Sequence, residues 1–246
     1  MFNWFFKKKP ENTNEIITFS DLRVDVHSHF IPGIDDGSPD IATSMLLIKK
    51  MSELGYQKII TTPHVMSDLY KNNSKNILEG LKMLKKEILI QKIDIEILAA
   101  AEYYIDFSFV EKIGKEDFLT FGDNYLLIEL SFVDPPKELF NIIFQLQLEG
   151  YKVVLAHPER YSYYDMHNYR QLIDKGVFFQ LNLLSLIDYY PGIVKKKAKD
   201  LINADMVNFL GTDCHNIHQA SLYKKSKKTV AFKKLVQNSN LLNNTL

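Results

Sequence analysis

Seven short apolar runs punctuate the chain: "LRVDVHS", "KIITT", "IEILAA", "YLLIEL", "KVVLAH", "VFFQLNL" and "VNFLGTD". Each is rich in β-branched or aromatic residues and apolar on both faces, the pattern of a buried parallel strand. Helical spacing fills the intervals. In "GSPDIATSMLLIKKMSELG" the pattern predicts Ser38 as N-cap, Pro39 at the first helical position and Gly55 at the close. "DPPKELFNIIFQLQLEG" repeats that grammar from Asp134 to Gly150, and "KNILEGLKMLKKEIL", "NYRQLIDKG" and "VKKKAKDLINAD" are further helices. "ASLYKKSKKTVAFKKLV" reads as one long basic helix with a solvated face. No Pro/Gly/Ser linker interrupts the alternation, which predicts a single βα-repeat domain over 21–246 behind an N-terminal tail over 1–20. Seven repeats in this length favour a barrel, or a distorted one, over an open sheet. No Gly-rich phosphate loop follows any strand, so nucleotide cradling has no support.

Composition narrows the class. The 246 residues can bury a sizeable core, and Lys+Arg and Asp+Glu both number 30, so no net field favours nucleic acid. The single cysteine, Cys214, excludes a disulfide framework and a cysteine-rich zinc site, and suits a reducing compartment. No apolar run approaches the roughly 20 residues of a membrane span. The start, "MFNWFFKKKP", carries its charges after its apolar residues, the reverse of a secretory signal. A cytoplasmic location is expected. Trp4, Phe5 and Phe6 followed by Lys7, Lys8 and Lys9 read first as a loose tail or an extra strand packed on the domain, with weak contact of residues 1–9 with an anionic membrane surface as the alternative.

Candidate chemistry lies at the strand ends, which in a parallel barrel converge on one mouth. The first run delivers His27 and His29, which share a face at spacing two, and Asp36 follows in the loop. The next four runs end in His64, Glu102, Glu129 and His157, and the last in Asp213 and His215. One polar residue at a strand end is commonplace. Six of seven strands ending in His, Asp or Glu are not, because so many buried ionisable groups need counter-charge. Metal ions supply it. Imidazole with carboxylate suits Mn²⁺, Fe²⁺ or Zn²⁺, and nine side chains exceed one ion's shell of about four, so two or three ions are expected. Such clusters clamp an anionic ester and generate hydroxide as nucleophile near neutral pH, which makes phosphate ester hydrolysis the leading chemistry. Arg160, in "AHPERY", lies over the same mouth and could hold a phosphoryl group bidentately.

"DVHSHFIPGIDDG", "TTPH", "AAAEYYID", "LLIELS", "AHPERY" and "GTDCHN" come in the order and approximate spacing of the PHP (polymerase and histidinol phosphatase) superfamily. Between about residue 22 and 220 the chain most resembles its capsule- and exopolysaccharide-locus branch, the manganese-dependent bacterial protein-tyrosine phosphatases. The resemblance implies a distorted (β/α)₇ barrel with a trinuclear centre. It implies that His27, His29, Glu102 and Asp213 hold one ion, that Glu102 bridges to a second held with Glu129 and His157, and that Asp36, His64 and His215 hold the third. It further implies that Arg160 binds the substrate phosphate, and that the substrate is phosphotyrosine in the tail of a tyrosine kinase controlling polysaccharide export. The chain departs from the branch in one respect. A second arginine often follows the D-x-H-N motif, and here "HNIHQASLYKK" offers only His218, Lys224 or Lys225 as stand-ins. Two rivals stay open: a small-molecule phosphatase of the superfamily, such as one acting on histidinol phosphate, and a non-catalytic metal-binding module. Cys214, between two mouth-facing residues, is expected to point away from the mouth and not to be the nucleophile.

Overall fold

The computed structural model describes residues 18–238 and 240–246. The N-terminal aromatic–lysine run, residues 1–9, lies outside the described residues. A short helix α1 (Phe19–Leu22) leads into β1 (Val24–Asp25), α2 (Ile41–Leu54), β2 (Lys58–Thr61), β3 (His64–Val65) and α3 (Ser74–Gln91). Then come β4 (Glu96–Ala99), β5 (Glu102–Tyr104), α4 (Phe107–Lys112), β6 (Tyr125–Glu129), α5 (Leu139–Leu148) and β7 (Lys152–Ala156). The last part holds α6 (Met166–Asp174), β8 (Phe178–Asn182), α7 (Gly192–Asn203), β9 (Phe209–Gly211), α8 (Ile217–Ser226) and α9 (Val230–Val236).

All strand pairs are parallel, in the orders β1-β2-β4 and β3-β5-β6-β7-β8-β9. β2 and β3 form one strand interrupted at Thr62–Pro63, where proline has no N–H to give the ladder. β4 and β5 are likewise one strand broken at Ala100–Ala101, and Ala100 N→Thr61 O and Glu102 N→Pro63 O carry the pairing across both breaks. The ring closes between β9 and β1 through a parallel bridge, Ser28 to Cys214. The result is a distorted seven-stranded parallel barrel wrapped in helices.

Two apolar clusters hold it together. One lies between strands and helices and includes Leu47, Ile48, Leu84, Leu146 and Leu201. The other includes Val24, Ile60, Ala100, Leu127, Val154 and Phe209, with Phe178 packed against it. Because side chains alternate along a strand, Glu102, Glu129 and Gln180 share the face of Ala100, Leu127 and Phe178, one layer nearer the strand ends. The apolar plug thus forms the floor of the mouth.

Several boundaries differ from the sequence reading. Asp40, not Ser38, caps α2 by accepting from Thr43 N; Ser38 is buried and its hydroxyl donates to Asp40 O at 3.0 Å. α5 begins at Leu139 rather than near Asp134, because Asp134 and Pro135 each precede a proline and are biased away from helical dihedrals. The long basic helix is two helices. Thr229 stops the first by donating to Ser226 O and caps the second by accepting from Phe232 N, which turns Phe232 onto Phe19. Phe19 is itself fully buried, so packing begins within the expected tail. Among the described residues, no helix is long and apolar enough to cross a membrane.

Candidate metal centre

All nine predicted mouth residues converge. His27 Nε2 lies 3.2 Å from His29 Nε2 and 3.4 Å from Asp213 Oδ1, and these three side chains could hold one cation. His64 Nε2 and His215 Nε2 lie 3.5 and 3.4 Å from Asp36 Oδ1, forming with His29 a second group. His64, Glu102 and Glu129 form a third group, and His157 Nε2 joins it at 3.1 Å from Glu102 Oε1 and 3.6 Å from Glu129 Oε1. His64 therefore stands between two groups, with Nδ1 toward Glu102 and Nε2 toward Asp36. Glu102 is at the centre: its Oε2 is 3.2 Å from His27 Nε2, 3.1 Å from His64 Nδ1 and 3.6 Å from His29 Nε2.

These contacts suit cations better than hydrogen bonds. Glu102 Oε2 and His64 Nδ1 are both buried and neither makes a hydrogen bond among the described residues, although they lie 3.1 Å apart. Lone pairs from several residues aim at common points, the arrangement a divalent ion resolves. The donor set of imidazoles and carboxylates fits ions such as Mn²⁺, Fe²⁺ or Zn²⁺.

The electrostatics of the cluster carry the same excess of negative charge. Burial opposes protonation of His27, yet Glu102 and Asp213 outweigh it and lift its pKa to about 9. Burial likewise opposes His64, but chiefly Glu102 lifts it to about 10. Glu129 is pushed up to about 8 by burial and by the neighbouring Glu102 charge. Burial would raise Glu102 too, but His27 and His64 hold it well below the ordinary carboxylate range. Burial and then the Arg160 charge drive His157 down to about 4, which leaves it the neutral imidazole that a metal requires.

The backbone is shaped to this arrangement. His157 and Asp213 sit at φ 33° and 52°, in the left-handed region that costs non-glycine residues roughly 1–3 kcal/mol. Gly37 approaches so closely that a Cβ there would lie 2.2 Å from His29 O. Its place in "IDDG" is thus fixed by the histidine it covers.

The sequence reading missed the residues that orient the cluster. Asp35 Oδ2 is 2.8 Å from His29 Nδ1 and accepts from His64 N at 3.1 Å, so of the paired aspartates one faces the mouth and the other buttresses two histidines. Gln180 Oε1 lies 2.7 Å from His27 Nδ1, and Asn182 Nδ2 donates to Asp213 Oδ2 at 2.6 Å. Both come from "VFFQLNL", the one strand without His, Asp or Glu at its end. Two amides at spacing two in an apolar strand were the available signal.

Arg160 reaches the mouth and donates from Nη1 to Asp213 Oδ2 at 3.1 Å. Its guanidinium stacks on Phe132 at 4.7 Å and on Tyr190 at 5.1 Å, neither of which the sequence singled out. The proposed stand-ins for a second arginine do not reach it. The cavity over the cluster, about 640 Å³, is lined by Asp36, His64, Tyr104, Phe132, Arg160 and His215 among others, but not by His218, Lys224 or Lys225. Of the tyrosines near the mouth, Tyr104 lines that cavity, whereas Tyr103 and Tyr161 are buried and their hydroxyls accept from Leu119 N and Leu130 N. Cys214 points away from the cluster: it is fully buried, and burial pushes its thiol well up.

The chain is similar to known proteins in sequence and in fold. The sequence model of the family described as "Capsular polysaccharide synthesis, CpsB/CapC" matches residues 23–239. Tyrosine-protein phosphatase YwqE of Bacillus subtilis is 30% identical over 197 residues, covering 79% of this chain and 78% of that protein. Tyrosine-protein phosphatase CpsB of Streptococcus pneumoniae is 26% identical over 220 residues, 86% of this chain and 90% of the other. A crystal structure from work on these two, described as unique metal-dependent tyrosine phosphatases, superposes with TM-score 0.80 at 27% identity, covering 88% of this chain and 89% of that one. Histidinol phosphate phosphatase from Lactococcus lactis, TM-score 0.50 and 17% identity over 84% of this chain and 94% of its own, shares the fold. The chain belongs to the CpsB/CapC family of capsular polysaccharide synthesis.

Proposed function

We propose that this chain hydrolyses phosphotyrosine in proteins, using two or three divalent ions held at the barrel mouth. The observation that carries the reading is the convergence of three imidazole–carboxylate groups around Glu102, in a chain whose relatives are named tyrosine phosphatases. His27, His29 and Asp213 would hold one ion, Glu129 and His157 a second and Asp36, His64 and His215 a third, with Glu102 between them. Mn²⁺ is the ion proposed, with Fe²⁺ and Zn²⁺ as alternatives from the same donor chemistry. Bound there, such ions supply Lewis acidity and a nucleophile at neutral pH.

The protein's own groups do the rest. Arg160 presents its guanidinium to the phosphoryl oxygens, its plane held by Phe132 and Tyr190 and one nitrogen tied to Asp213. Asp35 and Gln180 fix the ring orientation of His29 and His27. Phe132, Tyr104 and Leu69 offer apolar surface around the cavity for a phenyl ring. The proposed substrate is the phosphorylated tail of a tyrosine kinase that controls capsule synthesis in the cytoplasm, a reading supported by the family's role in capsular polysaccharide synthesis.

Turnover of a phosphotyrosine peptide, a phosphoserine peptide and histidinol phosphate, each with Mn²⁺ supplied, tests it. The phosphotyrosine peptide should be hydrolysed with the highest kcat/KM. Preference for histidinol phosphate would replace this reading with a small-molecule phosphatase, and no turnover of any of the three would contradict an enzymatic role.

A further inference from the structure

A groove separate from the mouth runs between α7 and α9, beside the 3₁₀ turn Leu183–Leu186. Its volume is about 610 Å³, and its floor is Leu186, Ala198, Ile202 and Ala231. Four lysines line it, Lys195, Lys196, Lys199 and Lys234, with no Asp or Glu. Two are engaged: Lys195 pairs with Asp188 at 2.8 Å, and Lys234 Nζ donates to Ile202 O at 3.2 Å. Lys196 and Lys199 are exposed and have no ion-pair partner among the described residues. Val230, in the groove wall, is 83% exposed, and Ile193 on the first turn of α7 is 54% exposed.

The surrounding sequence extends the charge. Residues 192–237 contain ten lysines, no arginine and three acidic residues, one of which, Asp213, belongs to the mouth. In a chain with 30 basic and 30 acidic residues, this stretch holds a local excess of positive charge. Lysines alone would suit any polyanion. Lysines around an apolar floor, with exposed Val230 and Ile193 beside them, match a surface that presents phosphates above hydrocarbon.

We propose that this groove docks the protein on an anionic lipid bilayer, with Lys196 and Lys199 on lipid phosphates and Val230 and Ile193 inserted between headgroups. An acidic polypeptide would satisfy the lysines but would leave both apolar side chains without a use. The proposal is independent of the phosphatase reading, because none of these residues lines the catalytic cavity.

Co-sedimentation of the full chain with phosphatidylglycerol vesicles and with phosphatidylcholine vesicles tests it. Binding is expected to phosphatidylglycerol alone and to fall as salt rises. The double variant Lys196→Ala/Lys199→Ala should lower the partition coefficient by about tenfold or more. Alanine favours helix at both positions, so circular dichroism should be unchanged. Equal binding to both vesicle types, or to neither, would overturn the proposal. So would undiminished binding by the double variant, or loss of binding only on deletion of residues 1–9. Binding of poly-glutamate by the wild type but not the double variant, with no vesicle binding, would replace it with an acidic protein partner.

Discussion

Ser28 and Cys214 pair as a parallel bridge where the barrel closes, with His29 N donating to Cys214 O at 3.0 Å and Asp213 N to His27 O at 2.7 Å. Each is the middle residue of a pair of mouth residues, His27 and His29 on one strand and Asp213 and His215 on the other. Their register therefore sets four side chains against one another, and a slip of one residue would turn them away. Cys214, on the far side, is a packing residue. Cys214→Ala should keep kcat/KM within about threefold while lowering stability by roughly 1 kcal/mol for the small cavity left. A variant with full metal content and no activity would make the thiol part of the chemistry.

Glu102 is the residue on which the separate groups depend. Its two oxygens face His157 on one side and His27 and His64 on the other, and among the described residues it is the one carboxylate within 4 Å of all three. Glu102→Gln keeps the shape but removes the charge, so metal content and activity should fall together while circular dichroism stays the same. Near-normal turnover in this variant would show that the carboxylate does not join two ions.

Much of this site was legible because its residues break an apolar pattern. His64, Glu102, Glu129 and His157 each end a run of buried strand residues, and a polar residue there stands out. Asp35, Gln180 and Asn182 orient those side chains but leave weaker marks. Asp35 is adjacent to an equally acidic Asp36, and only the turn that closes at Gly37 decides which one faces inward. Phe132 and Tyr190 lie in loops, where an aromatic residue carries no periodic signal. The two strand breaks were invisible for a related reason: "KIITTPH" and "IEILAAAE" read as continuous runs, and the kink appears only when each meets its neighbours in the ring.

Arg160 should act on the rate without holding metal. Removing a group aimed at transition-state charge typically costs about 2.7–4 kcal/mol, or roughly a hundred- to a thousandfold. Arg160 is the one Lys or Arg lining the cavity among the described residues, so Arg160→Ala should fall at the upper end. Arg160→Lys should recover only part, because an ammonium lacks the planar fork and stacks less well between Phe132 and Tyr190. Steady-state kinetics with metal analysis on the same samples checks this. A change below about threefold in kcat/KM, under 1 kcal/mol, would leave Arg160 without a role in the transition state.

Glu159 should make stability depend on pH. It is fully buried, Oε1 accepts from Asn182 N and from Ser185 Oγ at 2.9 and 2.6 Å, and Oε2 has no hydrogen-bond partner among the described residues. Burial outweighs these bonds and raises its pKa from 4.5 to about 7. The folded state thus favours the protonated acid. Its stabilising contribution is complete below the ordinary value and is lost as pH rises through about 7, with a slope of at most about 1.4 kcal/mol per pH unit. Glu159→Gln, neutral at every pH, should remove that slope between pH 5 and 7. Urea unfolding of both proteins across this range is the check, and identical slopes would mean that Glu159 is charged in the folded protein.

The central claim, that the mouth is a multinuclear metal centre, is tested most directly by counting ions. Elemental analysis of protein prepared without chelator and reconstituted with Mn²⁺ should find two to three ions per chain, since nine ligands exceed a single shell of about four. Phosphotyrosine hydrolysis should rise as those positions fill and disappear when a chelator removes them. One ion or fewer per chain, with full activity, would contradict the account.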